Sequence, residues 1–154
     1  ALGILADDAG DDTYWAMCAA CQGAAWDIAM GMLIDRGGND SYQAEGLAQG
    51  SAAMQAIGWL IDLDGTDRYV ARGDACHGCS AGNSYHYKDT GCLSWSLLLD
   101  AGGTQDFYSP DRSVQQFGKI LNGASLAPGK ADEKNPENSG LYGLFIDTAA
   151  KRSF

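Results

Sequence analysis

The chain has 154 residues, of which 45% are hydrophobic, 21 are Gly and 3 are Pro, and its formal net charge is −10. This length allows one domain with a sizeable core, and the hydrophobic content excludes an intrinsically disordered chain. The acidic charge argues against nucleic acid and anionic membranes as partners, and no apolar run approaches the ~20 residues needed to span a bilayer.

A short phrase of the type Gly–apolar–apolar–apolar–Asp occurs five times, with Ser replacing Gly once. Each copy continues through a Gly-rich turn to an aromatic residue, so that five repeats span residues 3–14, 31–42, 58–69, 96–108 and 143–154. Repeats of this length are typical of solenoids, in which each unit buries its apolar face against its neighbours. We therefore expect a single solenoid domain over residues 1–154.

The first repeats follow one another at intervals of 28 and 27 residues, and their pattern indicates strands. The apolar residues before Asp35, the glycines after it and the stretch 41–44 predict strand, turn and strand. Residues 47–57 have helix-forming composition, but their glycines oppose a helix, and a recurring Gly suggests a turn or a close backbone approach. That Gly recurs in Gln22-Gly23, Gln49-Gly50 and His77-Gly78.

Three short strands per repeat favour an all-β fold, a parallel β-helix of about five coils with a 27–28-residue period. The alternative is a strand-plus-helix solenoid of the leucine-rich-repeat kind. The last repeat has Arg152 in place of the turn Asp and Phe154 in place of Tyr, which predicts a capping repeat, or alternatively a docking end. The recurring aromatics predict a ladder in or beside the core rather than a sugar-stacking surface.

Two longer intervals, of 38 and 47 residues, place inserted loops at 72–92 and 109–140. Insertions of solenoids lie on one face, which is often the binding face. The tip of the first loop carries Tyr85, His86, Tyr87 and Lys88, which we predict to form an interaction loop, unless they only cover the insertion. An uncapped first coil would expose a sheet edge, so we expect a protein partner or a larger assembly. The sequence starts at Ala1, inside a repeat, from which we expect a fragment or a processed chain.

The turns contain two recurring Asp positions, one before and one after the glycines. Stacking of neighbouring repeats would place equivalent carboxylates about 5 Å apart. At that distance two charges repel by about 1 kcal/mol in water and about 3.5 kcal/mol at an effective dielectric constant of about 20. Backbone N–H groups of the turns or a hard cation such as Ca²⁺ could offset this repulsion. The candidate metal ligands are Asp12, Asp35, Asp40, Asp62, Asp67, Asp100 and Asp106.

The segments 37–42 (GGNDSY) and 64–69 (DGTDRY) resemble the Gly-x-Asn-Asp-x-hydrophobic part of the RTX repeat. The resemblance covers about six residues in each of three or four repeats, and the period of 27–28 residues differs from the nine of that family. RTX repeats fold as a parallel β-roll that binds Ca²⁺ between successive turns. The resemblance therefore implies calcium ligands at Asp40 and Asp67, with Asp12 and Asp106 at the matching positions.

Five cysteines leave the redox compartment open, with an extracytoplasmic or cell-surface location favoured. Cys18-x-x-Cys21 and Cys76-His77-Gly78-Cys79 look like two halves of a zinc site, but their repeat positions would place them about 10 Å apart, too far for one ion. A local site around Cys76, His77, Cys79 and Cys92, with His86 as a further candidate, a disulfide from Cys92, and buried free thiols stay open as alternatives.

Two functions follow from these patterns. The first is a non-enzymatic structural or interaction module, stabilised by calcium and acting through its loops or in a larger assembly. The alternative is a carbohydrate-active enzyme, a polysaccharide lyase or hydrolase, which fold analogy suggests and which needs an acid/base pair in a groove. Asp74, His86, Lys88 and Asp89 could supply such a pair.

Overall fold

The structure is a computed structural model that describes residues 1–128 and 143–149. The described residues form mainly short β-strands, together with two helices of one turn. In chain order these elements are β1 (Leu2–Asp7), β2 (Thr13–Ala16), β3 (Ala25–Trp26), β4 (Met30–Asp35), β5 (Ser41–Ala44), β6 (Ala52–Ala53), β7 (Ile57–Asp62), β8 (Arg68–Ala71), α1 (Tyr87–Thr90), β9 (Trp95–Ala101), β10 (Phe107–Tyr108), α2 (Arg112–Gln115), β11 (Ser125–Leu126) and β12 (Gly143–Thr148).

The strands belong to three sheets. A six-stranded sheet has the order β1-β4-β7-β9-β12-β11, a four-stranded sheet the order β10-β8-β5-β2, and β3 pairs with β6. The five copies of the sequence phrase are β1, β4, β7, β9 and β12, which lie side by side, parallel and in register. In the four-stranded sheet Tyr14, Tyr42, Tyr69 and Tyr108 are likewise neighbours.

The prediction of an all-β parallel β-helix of about five coils is wrong. The six-stranded sheet is mixed, because β11 pairs antiparallel with β12, and the two insertions contain the helices α1 and α2. The period of 27–28 residues constrains only the regular repeats, whereas an insertion folds by its own local signals. Asp111 is one such signal, since its carboxylate accepts a hydrogen bond from Ser113 N at 2.7 Å and caps α2.

The hydrophobic core lies between the six-stranded and the four-stranded sheet. Alternate residues of the parallel strands point inward, among them Leu33, Leu60 and Leu98, and they pack against Tyr42 and Tyr69. The predicted aromatic ladder is confirmed for the four tyrosines, whose rings stack with centroids 4.9, 4.8 and 5.0 Å apart. Phe145 ends this stack with an edge contact at 4.9 Å, and the predicted cap residues Arg152 and Phe154 lie outside the described residues.

The recurring Gly of the Gln-Gly dipeptides occupies both a turn and a close approach, as the sequence predicts. Gln49 and Gly50 have φ angles of 55° and 79°, and a Cβ atom on Gly50 would lie 1.9 Å from the carbonyl oxygen of Leu97. Within residues 1–128 and 143–149, no helix has the length and apolar character that crossing a membrane requires.

Candidate metal centre

Two columns of aspartates run across the repeats. The lead column (Asp7, Asp35, Asp62, Asp100 and Asp147) stands near the carboxyl ends of the five parallel strands, where its members are neighbours in register. The trail column (Asp12, Asp40, Asp67 and Asp106) stands one residue before each strand of the four-stranded sheet. From the second repeat onward, the described members of both columns are buried.

A ladder of hydrogen bonds connects the trail column from one repeat to the next. The Oδ1 atom of Asp40 accepts the backbone N–H of Asp12 at 2.6 Å, and Asp67 accepts that of Asp40 at 2.7 Å. Asp106 in turn accepts the N–H of Asp67 at 2.8 Å. The series ends on Asn122, whose Oδ1 accepts the N–H of Asp106 at 2.8 Å, so a neutral amide occupies the next place in the ladder.

The second carboxylate oxygens of the trail column are buried without a hydrogen-bond partner. The Oδ2 atoms of Asp40, Asp67 and Asp106 accept no hydrogen bond from the described residues. Asp40 and Asp67 are each only 2% exposed, and Asp106 is 8% exposed. An unpaired buried carboxylate oxygen is costly, so these three atoms call for a proton or a cation.

The tyrosine ladder faces the lead column and donates hydrogen bonds to it. Tyr14 Oη donates to Asp35 Oδ2 at 2.6 Å, and Asp62 Oδ2 accepts from Tyr42 at 2.7 Å and from Tyr69 at 3.2 Å. Tyr108 lies within hydrogen-bond reach of two carboxylates, Asp100 and Asp147, although its hydroxyl has a single proton to donate. The tyrosines thus compensate part of the buried charge but not all of it.

The two columns approach each other closely enough to form three groups that could hold a metal ion. In each group one lead-column residue meets two successive trail-column residues, and one ligand oxygen from each lies within 4.8 Å of the others. We call them the first triad (Asp12, Asp35, Asp40), the second triad (Asp40, Asp62, Asp67) and the third triad (Asp67, Asp100, Asp106). A Ca²⁺ ion binds oxygens at about 2.3–2.6 Å, so two of its ligand oxygens lie up to about 5 Å apart.

All seven aspartates that the sequence predicts as metal ligands lie in these triads. Their role as ligands stays a prediction, but the structure brings them together in the arrangement that stacked turns require. Asp40 and Asp67 each belong to two triads, which makes them the residues on which most of the proposed site depends.

Burial raises the pKa of several triad carboxyls, and the charges of neighbouring aspartates raise it further. From an ordinary value of 3.8, the pKa rises to about 6 for Asp40, about 7 for Asp62, about 8 for Asp100 and about 9 for Asp67. The nearby charges are Asp35 and Asp12 for Asp40, and Asp62 and Asp100 for Asp67. Without a cation, part of the cluster therefore holds protons near neutral pH.

We expect the stability of the metal-free protein to fall as the pH rises. Between about pH 4 and about pH 9 the folded chain holds protons that the unfolded chain has released, so the free energy of unfolding decreases by about 1.4 kcal/mol per pH unit for each extra proton. Urea unfolding of chelator-treated protein across this range measures the slope. A free energy of unfolding that is flat or rises between about pH 6 and about pH 9 would contradict the buried, uncompensated carboxylates.

The predicted interaction loop is tied to the body of the protein by a few hydrogen bonds and one exposed His–Asp contact. Asn83 Oδ1 accepts hydrogen bonds from Gln55 N at 3.1 Å and Ser94 N at 2.9 Å, and His86 Nε2 lies 2.8 Å from Asp27 Oδ1. Tyr85, at the tip, is 65% exposed. Tyr87 and Lys88 lie in α1, and Lys88 is exposed. A partner role for this loop stays a prediction.

The five cysteines are free thiols, so Cys92 forms no disulfide with Cys76 or Cys79. Within the described part of the chain, the groups that could hold a metal ion contain aspartates only. Cys76 and Cys79 are buried, and burial raises the pKa of Cys79 to about 12. His77 is fully buried beside Asp111, with Nδ1 3.6 Å from the Asp111 carboxylate.

Sequence reasoning did not identify Asn122 or Asp111. Asn122 reaches its place only because the second insertion folds back over the last strand, where Asp147 also accepts the N–H of Gly123 at 2.9 Å. The Asn122-Gly123 pair is a turn signal that could have indicated a turn there. Asp111 has a helix-capping role that no repeat pattern predicts.

The chain matches no protein-family model, no curated protein and no solved structure, so the arrangement of its own residues carries the functional argument.

Proposed function

We propose that the chain is a non-enzymatic structural module whose successive repeats are stabilised by Ca²⁺ bound between their aspartates. The observation that carries this proposal is the set of buried, unpartnered Oδ2 atoms of Asp40, Asp67 and Asp106 within groups of three carboxylates. A cation between the two columns would satisfy these oxygens and neutralise charges that otherwise repel one another in a poorly solvated place.

The ligand chemistry favours Ca²⁺ over other ions. The triads offer carboxylate oxygens only, which suits a hard cation and disfavours zinc or copper, whose preferred ligands include His and Cys. Ca²⁺ accepts irregular geometry and bidentate carboxylates, whereas Mg²⁺ demands near-ideal octahedral geometry and retains several waters. All members of the second and third triads are buried, and their three oxygens lie within 4.8 Å of one another, which leaves little room for a hydrated ion.

Burial also supports a structural rather than a catalytic role for these carboxylates. Asp35, Asp62 and Asp100 are at most 1% exposed, so a sugar substrate could not reach them without opening the core. Each proposed ion would instead connect two successive repeats, and the three triads together would connect the first four. The predicted interaction loop, in which Tyr85 is exposed, is the part of this module that we propose for contact with a protein partner or a larger assembly.

We expect removal of Ca²⁺ to lower the melting temperature by more than about 10 °C. An ion present at 100 times its dissociation constant stabilises by about 2.7 kcal/mol per site, and 1 kcal/mol shifts the melting temperature of a chain of this size by about 2–4 °C. The measurement is a thermal melt followed by circular dichroism, with chelator, after dialysis, and after addition of millimolar Ca²⁺.

Millimolar Mg²⁺ is the control for a general salt effect in the same experiment. Recovery of the melting temperature with Ca²⁺ but not with Mg²⁺ supports the proposal. Identical melts with and without chelator would show that protons, not calcium, compensate the triads.

A further inference from the structure

The outer face of the six-stranded sheet is apolar in every repeat that forms it. We define this outer face as the alternate residues of β1, β4, β7, β9 and β12 that point away from the core. Its middle row consists of Ile4, Met32, Trp59, Leu97 and Leu144, which are neighbours in register. The rows on either side are also apolar, apart from Thr148 in β12.

The strands nearest to the sheet do not cover this face. Among the described helices and strands outside the sheet, β3 and β6 come closest to β4, β7 and β9. A Cβ atom added to Gly31 or Gly58 would point to the inner side of the sheet, where it would meet the carbonyl oxygen of Ala24 or of Ser51. These two residues directly precede β3 and β6, so both strands lie on the inner side. Apart from Ala101 at the end of β9, which is fully buried, the outer side chains of β4, β7, β9 and β12 are at least partly exposed, and Ile4 is 60% exposed. A soluble chain rarely leaves an apolar surface of this extent without a partner.

Charge is distributed unevenly around the outer face. The turns that follow the strands carry the charged residues Asp8, Arg36 and Asp64, of which Arg36 is ion-paired with Asp8. The residues just before β4, β7 and β9 are uncharged (Ala29, Ala56 and Ser94). Two copies packed face to face with their strands antiparallel would place the charged margin of one over the uncharged margin of the other. This orientation keeps the Asp64 carboxylates of the two copies apart.

The size of the face agrees with a dimer of moderate affinity. Five strands spaced about 4.8 Å apart, with about six residues rising about 3.3 Å each, give a footprint of about 480 Å² per copy. Two copies would together bury about 1,000 Å² if each face were flat, which is near the lower limit for a specific interface. Protruding side chains add to this area. The interface contains Trp59, which makes an edge contact with Trp95 at 4.9 Å, and aromatic residues of this kind are enriched where interfaces bind most strongly.

We propose that the outer face is the interface between two copies of this chain. The two sheets pack face to face about a two-fold axis that runs across the strands, so the middle row of one copy lies over the middle row of the other. This interface is separate from the aspartate triads, which lie on the inner side of the same sheet. The dimer proposal therefore does not depend on calcium binding.

The test is sedimentation velocity of the full chain from micromolar to sub-millimolar concentration. We expect a dimer whose fraction rises with concentration, and its loss in Leu97→Glu, which places a charge in the middle row. Trp15→Glu is the matched control, since Trp15 is 66% exposed on β2 of the four-stranded sheet and should leave the dimer unchanged. A wild-type monomer at every concentration, or a Leu97→Glu dimer like the wild type, would overturn the proposal.

A second measurement needs no variant and covers the case in which Leu97→Glu fails to fold. Oxidation of Met32 by hydrogen peroxide, followed by mass spectrometry, should be several times slower in concentrated than in dilute wild-type protein. Met17, which is 37% exposed outside this face, should react equally in both. Equal rates for Met32 at both concentrations, or a monomer that instead binds phosphatidylcholine vesicles, would count against a second copy as the occupant.

Discussion

Replacing Gly58 by Ala should destabilise the protein by about 3 kcal/mol or more, the upper end of the usual cost of overpacking a core. A Cβ atom at this position would lie 2.1 Å from the carbonyl oxygen of Ser51 and close to its carbonyl carbon. These atoms belong to the backbone, so no rotamer change can relieve the contact, and the packing of the sheet against residues 51–53 must open. Urea unfolding measured at equilibrium gives the free-energy difference.

Gly3 provides a matched control for that substitution. Gly3, Gly31 and Gly58 are register neighbours at the same position of the phrase, yet a Cβ atom on Gly3 would meet nothing within 4 Å. We expect Gly3→Ala to change the free energy of unfolding by less than about 0.5 kcal/mol. Similar losses for both variants would mean that Gly is needed for a reason other than the close approach of Ser51.

Replacing Asp67 by Asn should have opposite effects with and without Ca²⁺. Asp67 belongs to two triads, so the variant should lose two of three proposed sites and about 5 kcal/mol of stabilisation in Ca²⁺ at 100 times the dissociation constant. In chelator at mildly alkaline pH, folding forces Asp67 either to take up a proton or to bury its charge, because its pKa is raised to about 9. The neutral amide of Asn avoids both costs, and its oxygen can still accept the N–H of Asp40. We therefore expect equal or greater stability than the wild type there.

Two further variants complete this comparison, and the stability of all three is measured by urea unfolding. Asp106→Asn, in a single triad, should lose about half as much in Ca²⁺ as Asp67→Asn. Asp11→Asn should behave as wild type, since Asp11 is exposed, lies outside the triads, and accepts its hydrogen bond from Asn39 through an oxygen that Asn retains. A loss of stability in Asp67→Asn that is the same in chelator and in Ca²⁺ would contradict the metal role.

The sequence predicts those parts of the structure that depend on equivalent residues meeting between repeats. The pairing of Asp35 with Asp62 and the stacking of Tyr42 on Tyr69 follow from in-register neighbours, and the positions of the seven candidate ligands follow from the same pairing. Within the first three repeats, each of these depends only on the regular spacing and the strand spacing of a sheet. Asp100 and Asp106 follow the first insertion, and they are predicted by the match of the fourth repeat to the same phrase.

The insertions could not be predicted in the same way. The antiparallel strand β11, the capped helix α2 and the neutral Asn122 at the end of the trail column arise from contacts that no repeat period specifies. The hydrogen bonds from tyrosines to the lead column also depend on how far apart the two sheets stand, which pattern alone does not give.

The most direct test of the proposed function is the number of Ca²⁺ ions bound by the folded, chelator-treated chain, measured by isothermal titration calorimetry at neutral pH. The triads predict three ions per chain and release of protons on binding, because the raised pKa of Asp67 and of Asp100 leaves these carboxyls protonated before the ion arrives. One ion per chain should remain in Asp67→Asn. A folded wild-type chain that binds no Ca²⁺ at millimolar concentration would contradict a calcium-stabilised module.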